Sequence, residues 1–148
     1  MRGAKNICKS LTGHPSLVSI KLGNTENVNR NRLGVQAVPK LNELLSSSQV
    51  LQFLDVRSTN LTDTGLILLC EGLSRCPALF QLNLAKNEIT HSGIEKFGQV
   101  LAKSTIQELD LSLNPLGNSG IRCLVENLWV KLPNYSSIYE EEDESRLS

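Results

Sequence analysis

Residues 79–93 read Leu-Phe-Gln-Leu-Asn-Leu-Ala-Lys-Asn-Glu-Ile-Thr-His-Ser-Gly, and their spacing returns along most of the chain. Residues 106–120 repeat the same positions for apolar residues, asparagine and glycine. Residues 51–65 do so as well, with Thr59 in place of the asparagine. Successive copies begin 28 and 27 residues apart. A looser copy begins at Leu17 and is lengthened by a polar insertion before Gly34. Repetition at this interval is typical of a solenoid, in which each unit is stabilised by its neighbours.

Each copy predicts one strand followed by one helix. The apolar residues before the asparagine alternate as in a strand, and those after the glycine follow helical spacing, as at Leu66, Leu69 and Leu73. We expect the glycine to open the helix and the asparagine amide to bond the main chain of the next coil. Stacked units then form a parallel sheet inside and a layer of wider helices outside, so the stack must curve. The predicted fold is an α/β horseshoe with the sheet on the concave side and the helices on the convex side.

This pattern resembles the leucine-rich repeat family, in its longer class of the ribonuclease inhibitor type, over about residues 3–139. Two features depart from the family pattern. Thr25 or Asn27 stands for the ladder asparagine in the first full repeat, and Thr59 does so in the second. Pro39 falls inside the helix after Gly34, where a proline is expected to kink it.

We expect one leucine-rich repeat domain over residues 1–139 and an acidic, disordered tail over residues 140–148. Within the domain we expect a truncated first repeat at 3–16, repeats near 17–50, 51–78, 79–105 and 106–134, and a partial last strand at 135–139. The first helix lacks a covering unit on its outer side, and solenoids need capped ends. We therefore expect a fragment that is poorly soluble or associates through its N-terminal end.

The charge and composition limit the classes of partner. The chain has 148 residues with 15 basic and 15 acidic side chains, and residues 140–148 hold five acidic residues and one basic residue. The remaining residues therefore carry a surplus of positive charge, so the zero total does not exclude a charged partner.

No apolar run approaches the roughly 18 residues that span a bilayer. The start of the chain has no secretory signal pattern. We expect an intracellular protein, nuclear or cytoplasmic, with neither a membrane nor nucleic acid as a direct partner.

Catalytic and metal-binding motifs are lacking in the sequence. No P-loop or nucleophile-elbow pattern occurs, and four cysteines without a paired spacing do not form a zinc set with two histidines. We expect buried, reduced thiols, a structurally buried His14 and an exposed His91. The chain is therefore predicted to have no enzymatic activity, no cofactor and no bound metal.

Strand alternation instead predicts a binding surface on the concave face, made of eight residues: Lys21, Phe53, Asp55, Arg57, Gln81, Asn83, Glu108 and Asp110. Phe53 is expected to be exposed between opposite charges, which is typical of an interface anchor. The alternative is that Asp55 and Arg57 only pair with each other and with Lys21. By analogy with other solenoids, the predicted function is a non-enzymatic scaffold that binds a protein.

The run Leu109-Asp-Leu-Ser-Leu-Asn-Pro-Leu-Gly117 resembles the C-terminal repeats of Tonsoku-like proteins. That resemblance implies a nuclear scaffold in replication-fork and DNA-damage repair, with a histone or a repair factor as partner. A leucine-rich-repeat GTPase-activating protein and a cytoplasmic sensor or adaptor are the alternatives. Sequence upstream of Met1 would distinguish them: ankyrin and helical repeats favour the first, and a nucleotide-binding P-loop favours the sensor.

Overall fold

Helices and strands alternate strictly along the chain. The computed structural model describes residues 2–24 and 32–129. The elements are α1 (Arg2–Leu11), β1 (Ser19–Lys21), α2 (Gly34–Ser47), β2 (Phe53–Asp55), α3 (Thr62–Ser74), β3 (Gln81–Asn83), α4 (His91–Lys103), β4 (Glu108–Asp110) and α5 (Gly117–Trp129). This alternation confirms the predicted α/β solenoid.

The four strands form one parallel sheet in sequence order. The register places Leu54 opposite both Ile20 and Leu82, and Leu82 opposite Leu109. Residues that hold the same repeat position are therefore neighbours across the sheet, as the repeat spacing predicts. Each helix packs against the next helix along the chain.

The core consists of leucine-rich layers between the sheet and the helices. The strand residues Leu54 and Leu82 are buried, and so are the helical residues Leu66 and Phe97 that pack behind them. In the central repeats these apolar layers stack on one another, because each repeat covers the apolar face of its neighbour.

The asparagine ladder is present, but it contacts the preceding coil instead of the next one. The Asn87 side-chain oxygen accepts hydrogen bonds from the main-chain N–H groups of Thr59 (3.1 Å) and Leu61 (3.0 Å). Asn114 does the same for Asn87 (2.8 Å) and Ile89 (3.0 Å). The asparagine of one repeat thus accepts hydrogen bonds from the bend of the repeat before it. The prediction that it bonds the next coil is wrong in direction.

Gly34 opens α2 as predicted, whereas in the three following repeats the repeat glycine lies within the first helical turn. α3, α4 and α5 each begin a few residues before their glycines, Gly65, Gly93 and Gly120. A side chain at Gly93 would overlap the Asp63 carboxylate and lie 3.3 Å from its Cα. Close packing against the preceding helix is therefore what requires glycine there.

α2 continues through Pro39 to Ser47 as one helix, and the kink expected at this proline stays a prediction. None of the helices in the described ranges is both long and apolar enough to cross a membrane. The ladder position of the first full repeat, the expected last strand at 135–139 and the acidic tail at 140–148 lie outside the described residues.

Candidate interaction surface on the concave face

Parallel pairing aligns the predicted binding residues in rows across the sheet. The first row holds Ser19, Phe53, Gln81 and Glu108, and the second holds Lys21, Asp55, Asn83 and Asp110. Arg57 follows β2 and forms an ion pair with Asp55. The eight predicted residues therefore lie together, on the strands or directly after them.

Exposure differs among these residues. Lys21, Gln81, Glu108 and Asp110 are exposed, and Asn83 is half-buried. Asp55 was expected on the open surface, but the structure buries it to 7% exposure. Gly23 packs so closely that a side chain there would overlap the Asp55 carboxylate. This correction follows from the neighbouring coil, which the sequence of one repeat does not reveal.

The second row has a structural role that the sequence prediction missed. The side-chain oxygens of Asp55, Asn83 and Asp110 accept the N–H two residues later, at 2.9, 3.0 and 2.9 Å respectively. Aspartate and asparagine are suited to this turn because their short side chains reach the main chain locally. The recurrence of Asp or Asn at this position in three repeats is the signal that could have revealed it.

Phe53 is half-buried, which corrects the expectation of a fully exposed aromatic residue. The Lys21 ammonium lies 5.4 Å from the centroid of its ring. A lysine at this distance is attracted to the face of the ring. The ring also lines a groove with Gln81 and Glu108, so part of it stays accessible from the concave side.

The charged residues partly satisfy one another. The Arg57 guanidinium lies 3.8 Å from an Asp55 carboxylate oxygen, which agrees with the alternative that these two residues pair. Lys21 contacts the Phe53 ring, and no ion pair joins it to Asp55 within the described chain. Hydrogen bonds from Ser112, helped by the nearby Arg57 charge, lower the pKa of Asp110 below its ordinary value. This carboxylate is therefore ionised at neutral pH.

Two shallow depressions follow the sheet. One of about 320 Å³ crosses β2, β3 and β4 and is lined by Phe53, Gln81, Asn83, Glu108 and Asp110, with Leu82 and Leu109. The other, of about 310 Å³, lies at the carboxyl ends of the strands, and its lining includes Arg57, Lys86, Asp110 and Leu113. Both suit contact with a protein surface better than enclosure of a small molecule.

The histidines lie apart from this surface. His14 is exposed, and its Nδ1 accepts the N–H of Ser16 at 3.3 Å, so the expectation of structural burial is wrong. It lies on the exposed turn between α1 and β1, outside the core. His91 is exposed, as predicted. Residues 2–24 and 32–129 contain no group of three His, Cys, Asp or Glu side chains that could hold a metal ion.

The cysteines are free thiols. Cys8, Cys70 and Cys76 are buried, and Cys123 is half-buried. Burial raises the pKa of both Cys70 and Cys76 to about 11. These residues act as small apolar core residues, as the sequence predicts.

Comparison with known proteins agrees with this geometry. A leucine-rich repeat family model matches residues 47–70, 76–98 and 102–125, each match covering the end of one repeat and the beginning of the next. This chain belongs to the leucine-rich repeat family. Over 100 residues it is 39% identical to the ribonuclease inhibitor of Sus scrofa, a match covering 60% of this chain and 22% of the inhibitor. These relationships support the ribonuclease-inhibitor-like class and point to a protein-interaction scaffold.

Two larger leucine-rich repeat proteins are also similar. The human NACHT, LRR and PYD domains-containing protein 12 is 38% identical over 99 residues, covering 66% of this chain and 9% of that protein. The mouse NACHT, LRR and PYD domains-containing protein 4C is 32% identical over 135 residues, covering 90% of this chain and 13% of that protein. The chain thus spans about a tenth to a fifth of the length of these relatives.

Solved structures share the fold at low sequence identity. The actin-binding site 2 of leiomodin-1 superposes with a TM-score of 0.67 and 16% identity, covering 98% of this chain and 92% of that one. The C-terminal domain of tropomodulin from Caenorhabditis elegans gives 0.65 and 18%, covering 86% and 74%. At these identities the likeness concerns the fold alone.

Proposed function

We propose that this chain is a non-enzymatic scaffold that binds a protein partner on the concave face, with Phe53 as the central anchor. The observation that carries the proposal is the alignment of aromatic, amide and charged side chains across four parallel strands paired in register. A solenoid offers an extended concave surface, and aromatic residues at the centre of such a surface contribute most to binding.

The surroundings of Phe53 support this role. The Phe53 side chain is half-buried and lies under the Lys21 ammonium, so we expect little conformational entropy to be lost when a partner packs on it. Exposed Gln81 and Glu108 lie beside it in the same row and provide polar contacts around the anchor. This arrangement of an apolar centre and a polar rim is typical of protein interfaces.

The face of the solenoid is tested by photo-crosslinking from two exposed positions. A photoreactive amino acid replaces Gln81 on the concave sheet in one variant and Glu95 on α4 in the other, each in the full chain expressed in cells of the source organism. We expect covalent adducts from position 81 and not from position 95. Adducts from position 95 alone would contradict the proposal.

The anchor is tested by Phe53→Ala. We expect binding of the crosslinked partner to weaken at least about tenfold, because truncation of an anchor commonly costs more than about 1.4 kcal/mol. The matched control is Phe80→Ala, which removes a ring that is 43% exposed just before β3 and outside the rows. Both affinity and thermal unfolding are measured. Unchanged affinity together with unchanged thermal stability in Phe53→Ala would show that Phe53 is not an anchor.

The biological setting is also part of this proposal. The run at residues 109–117 supports a Tonsoku-like nuclear scaffold in replication-fork and DNA-damage repair, with a histone or repair factor as partner. The similarity to NACHT, LRR and PYD domains-containing proteins supports a second candidate, a cytoplasmic sensor or adaptor. The transcript upstream of Met1 is the test. Ankyrin and helical repeats would support the first candidate, and a nucleotide-binding P-loop would support the second.

A further inference from the structure

The groove across β2, β3 and β4 has an unbalanced charge. Its lining consists of two carboxylates, two amides, one aromatic ring and two leucines: Glu108, Asp110, Gln81, Asn83, Phe53, Leu82 and Leu109. No basic residue of the described chain is among them. We refer to this surface as the acidic groove.

The two carboxylates of the acidic groove are exposed and lack an ion-pair partner within the described ranges. The ion pairs found there join Lys40 to Glu43, Arg57 to Asp55 and Arg75 to Glu71. Arg57 influences Asp110 from the β2 side, but its short contact is with Asp55, at 3.8 Å. Neither carboxylate of the acidic groove is therefore neutralised by an ion pair within the described part of the chain, and the cations nearest the groove, Lys21 and Arg57, lie on its β1 and β2 side.

The distance between the two carboxylates determines the spacing that the basic residues of a complementary partner need. Glu108 and Asp110 are two residues apart on one strand, so they point to the same side with a separation of about 7 Å. The Asp110 carboxylate is fixed by the N–H of Ser112 at 2.9 Å. An extended segment with a basic residue at every second position repeats this spacing.

The remaining lining residues suit arginine or lysine better than other side chains. Carboxylates form charge-assisted hydrogen bonds with guanidinium and ammonium groups. The Phe53 ring offers an apolar wall against which the aliphatic part of a long basic side chain packs. The side-chain carbonyl groups of Gln81 and Asn83 are further acceptors beside the carboxylates.

We propose that the acidic groove binds an extended segment of the partner protein that carries arginine or lysine at alternate positions. This proposal rests on the proposed function, because it names the chemistry of the partner that the concave face binds. It is independent of the negatively charged residues 140–148, which offer a competing site for basic peptides.

The neighbouring strand supplies a matched variant. Gln81 and Asn83 pair in register with Glu108 and Asp110, and Asn83 accepts the N–H of Ala85 at 3.0 Å as Asp110 accepts that of Ser112. The double variant Glu108→Gln/Asp110→Asn therefore gives β4 the side chains of β3. It removes two charges and retains the turn hydrogen bond, so we expect it to fold like the original chain.

The probe is a fluorescein-labelled peptide of four Ala-Arg repeats, titrated with the full chain at about 0.15 M salt, where charges outside the contact are screened, and followed by fluorescence anisotropy. We expect the groove variant to raise the dissociation constant about tenfold or more. The control variant Glu140→Gln/Glu142→Gln removes the same number of charges from the tail. We expect less than about a twofold change from it, because exposed charges outside the contact contribute little.

Three results would overturn the proposal: no binding of the peptide by the original chain, an equal loss in both variants, or a larger loss in the tail variant. An equal loss in both variants would mean that the peptide binds by general charge attraction. A larger loss in the tail variant would mean that it binds residues 140–148. The crosslinking experiment keeps the proposed function separate. If position 81 forms adducts with a partner, and this partner binds the groove variant as tightly as the original chain, the concave interface is retained. The proposal that the acidic groove binds a basic segment is then refuted.

Discussion

Single polar side chains close the coils of this solenoid. Asn87 is fully buried, and its side-chain oxygen accepts from Thr59 and Leu61 while its amide donates to the carbonyl oxygens of Val56, at 2.9 Å, and Leu84, at 3.1 Å. One residue thus satisfies main-chain groups in two coils that would otherwise be buried without partners. Such groups are costly when left unpaired.

We predict that Asn87→Ala lowers the free energy of unfolding by about 3 kcal/mol, since several buried main-chain groups lose their partner at once. Urea denaturation followed by circular dichroism measures this change. The control is Asn118→Ala on the exposed start of α5, with an expected change within about 0.5 kcal/mol. Equal effects of the two substitutions would show that the ladder does not stabilise the fold.

The thiols provide a second prediction at this scale. Because burial raises the pKa of Cys70 and Cys76 to about 11, only on the order of one molecule in a thousand carries either thiolate at pH 8. We expect iodoacetamide to modify half-buried Cys123 first and to reach Cys70 and Cys76 only after urea is added. Peptide mass spectrometry identifies the labelled site. Modification of Cys70 in the folded chain at the rate of Cys123 would contradict this.

At the scale of elements, the contact between successive helices depends on a glycine that faces a polar side chain. In the α2–α3 pair, the Asn42 side chain accepts the N–H of Gly72 at 3.2 Å and donates to the carbonyl of Leu68 at 2.8 Å. A Cβ at position 72 would lie 2.9 Å from the Asn42 Cα. The two helices can approach this closely only because position 72 has no side chain.

We predict that Gly72→Ala destabilises the chain by about 1–3 kcal/mol, because α2 must move away or α3 must bend. In an open helix the same substitution stabilises by up to about 1 kcal/mol. Gly3→Ala in α1 is the control, since a side chain there meets nothing within 4 Å. Thermal unfolding compares the two variants. A melting temperature of Gly72→Ala at or above that of the original chain would show that the close contact is not required.

At the scale of the whole molecule, the same repeat position is buried or exposed according to its place in the stack. Ile94 and Ile121 both follow the repeat glycine, yet Ile94 is fully buried and Ile121 is 55% exposed. Ile7 is 47% exposed on α1, the helix that was expected to lack a covering unit on its outer side. Helical spacing predicts that all three isoleucine side chains lie in the core. Whether each side chain is in fact buried depends on the neighbouring repeat.

We therefore predict that Ile94→Ala costs about 3 kcal/mol, whereas Ile121→Ala costs less than about 1 kcal/mol. The removed groups are identical, so the difference reports the packing of the adjacent repeat. Denaturant unfolding of both variants and the original chain gives the two values. Similar losses would mean that α5 is covered in solution to the same extent as α4.

The repeat determined most of the fold. The spacing of residues 51–65, 79–93 and 106–120 specified the strand register and the parallel order, because identical units bury their apolar faces only by stacking in the same orientation. It placed all eight candidate residues on or directly after adjacent strands for the same reason. The starts of α3, α4 and α5 and the direction of the asparagine ladder were not specified, because both depend on contacts between coils.

The sequence by itself determined that this chain is a leucine-rich repeat solenoid and which of its residues lie on or directly after adjacent strands. Only the tertiary structure decided that Asp55 is buried, that the Lys21 ammonium lies over the Phe53 ring, and that Glu108 and Asp110 share a groove with no basic residue of the described chain in its lining. The physical reason is that strand and helix period are local properties of one repeat. Burial and charge balance are set by side chains of the repeats on either side.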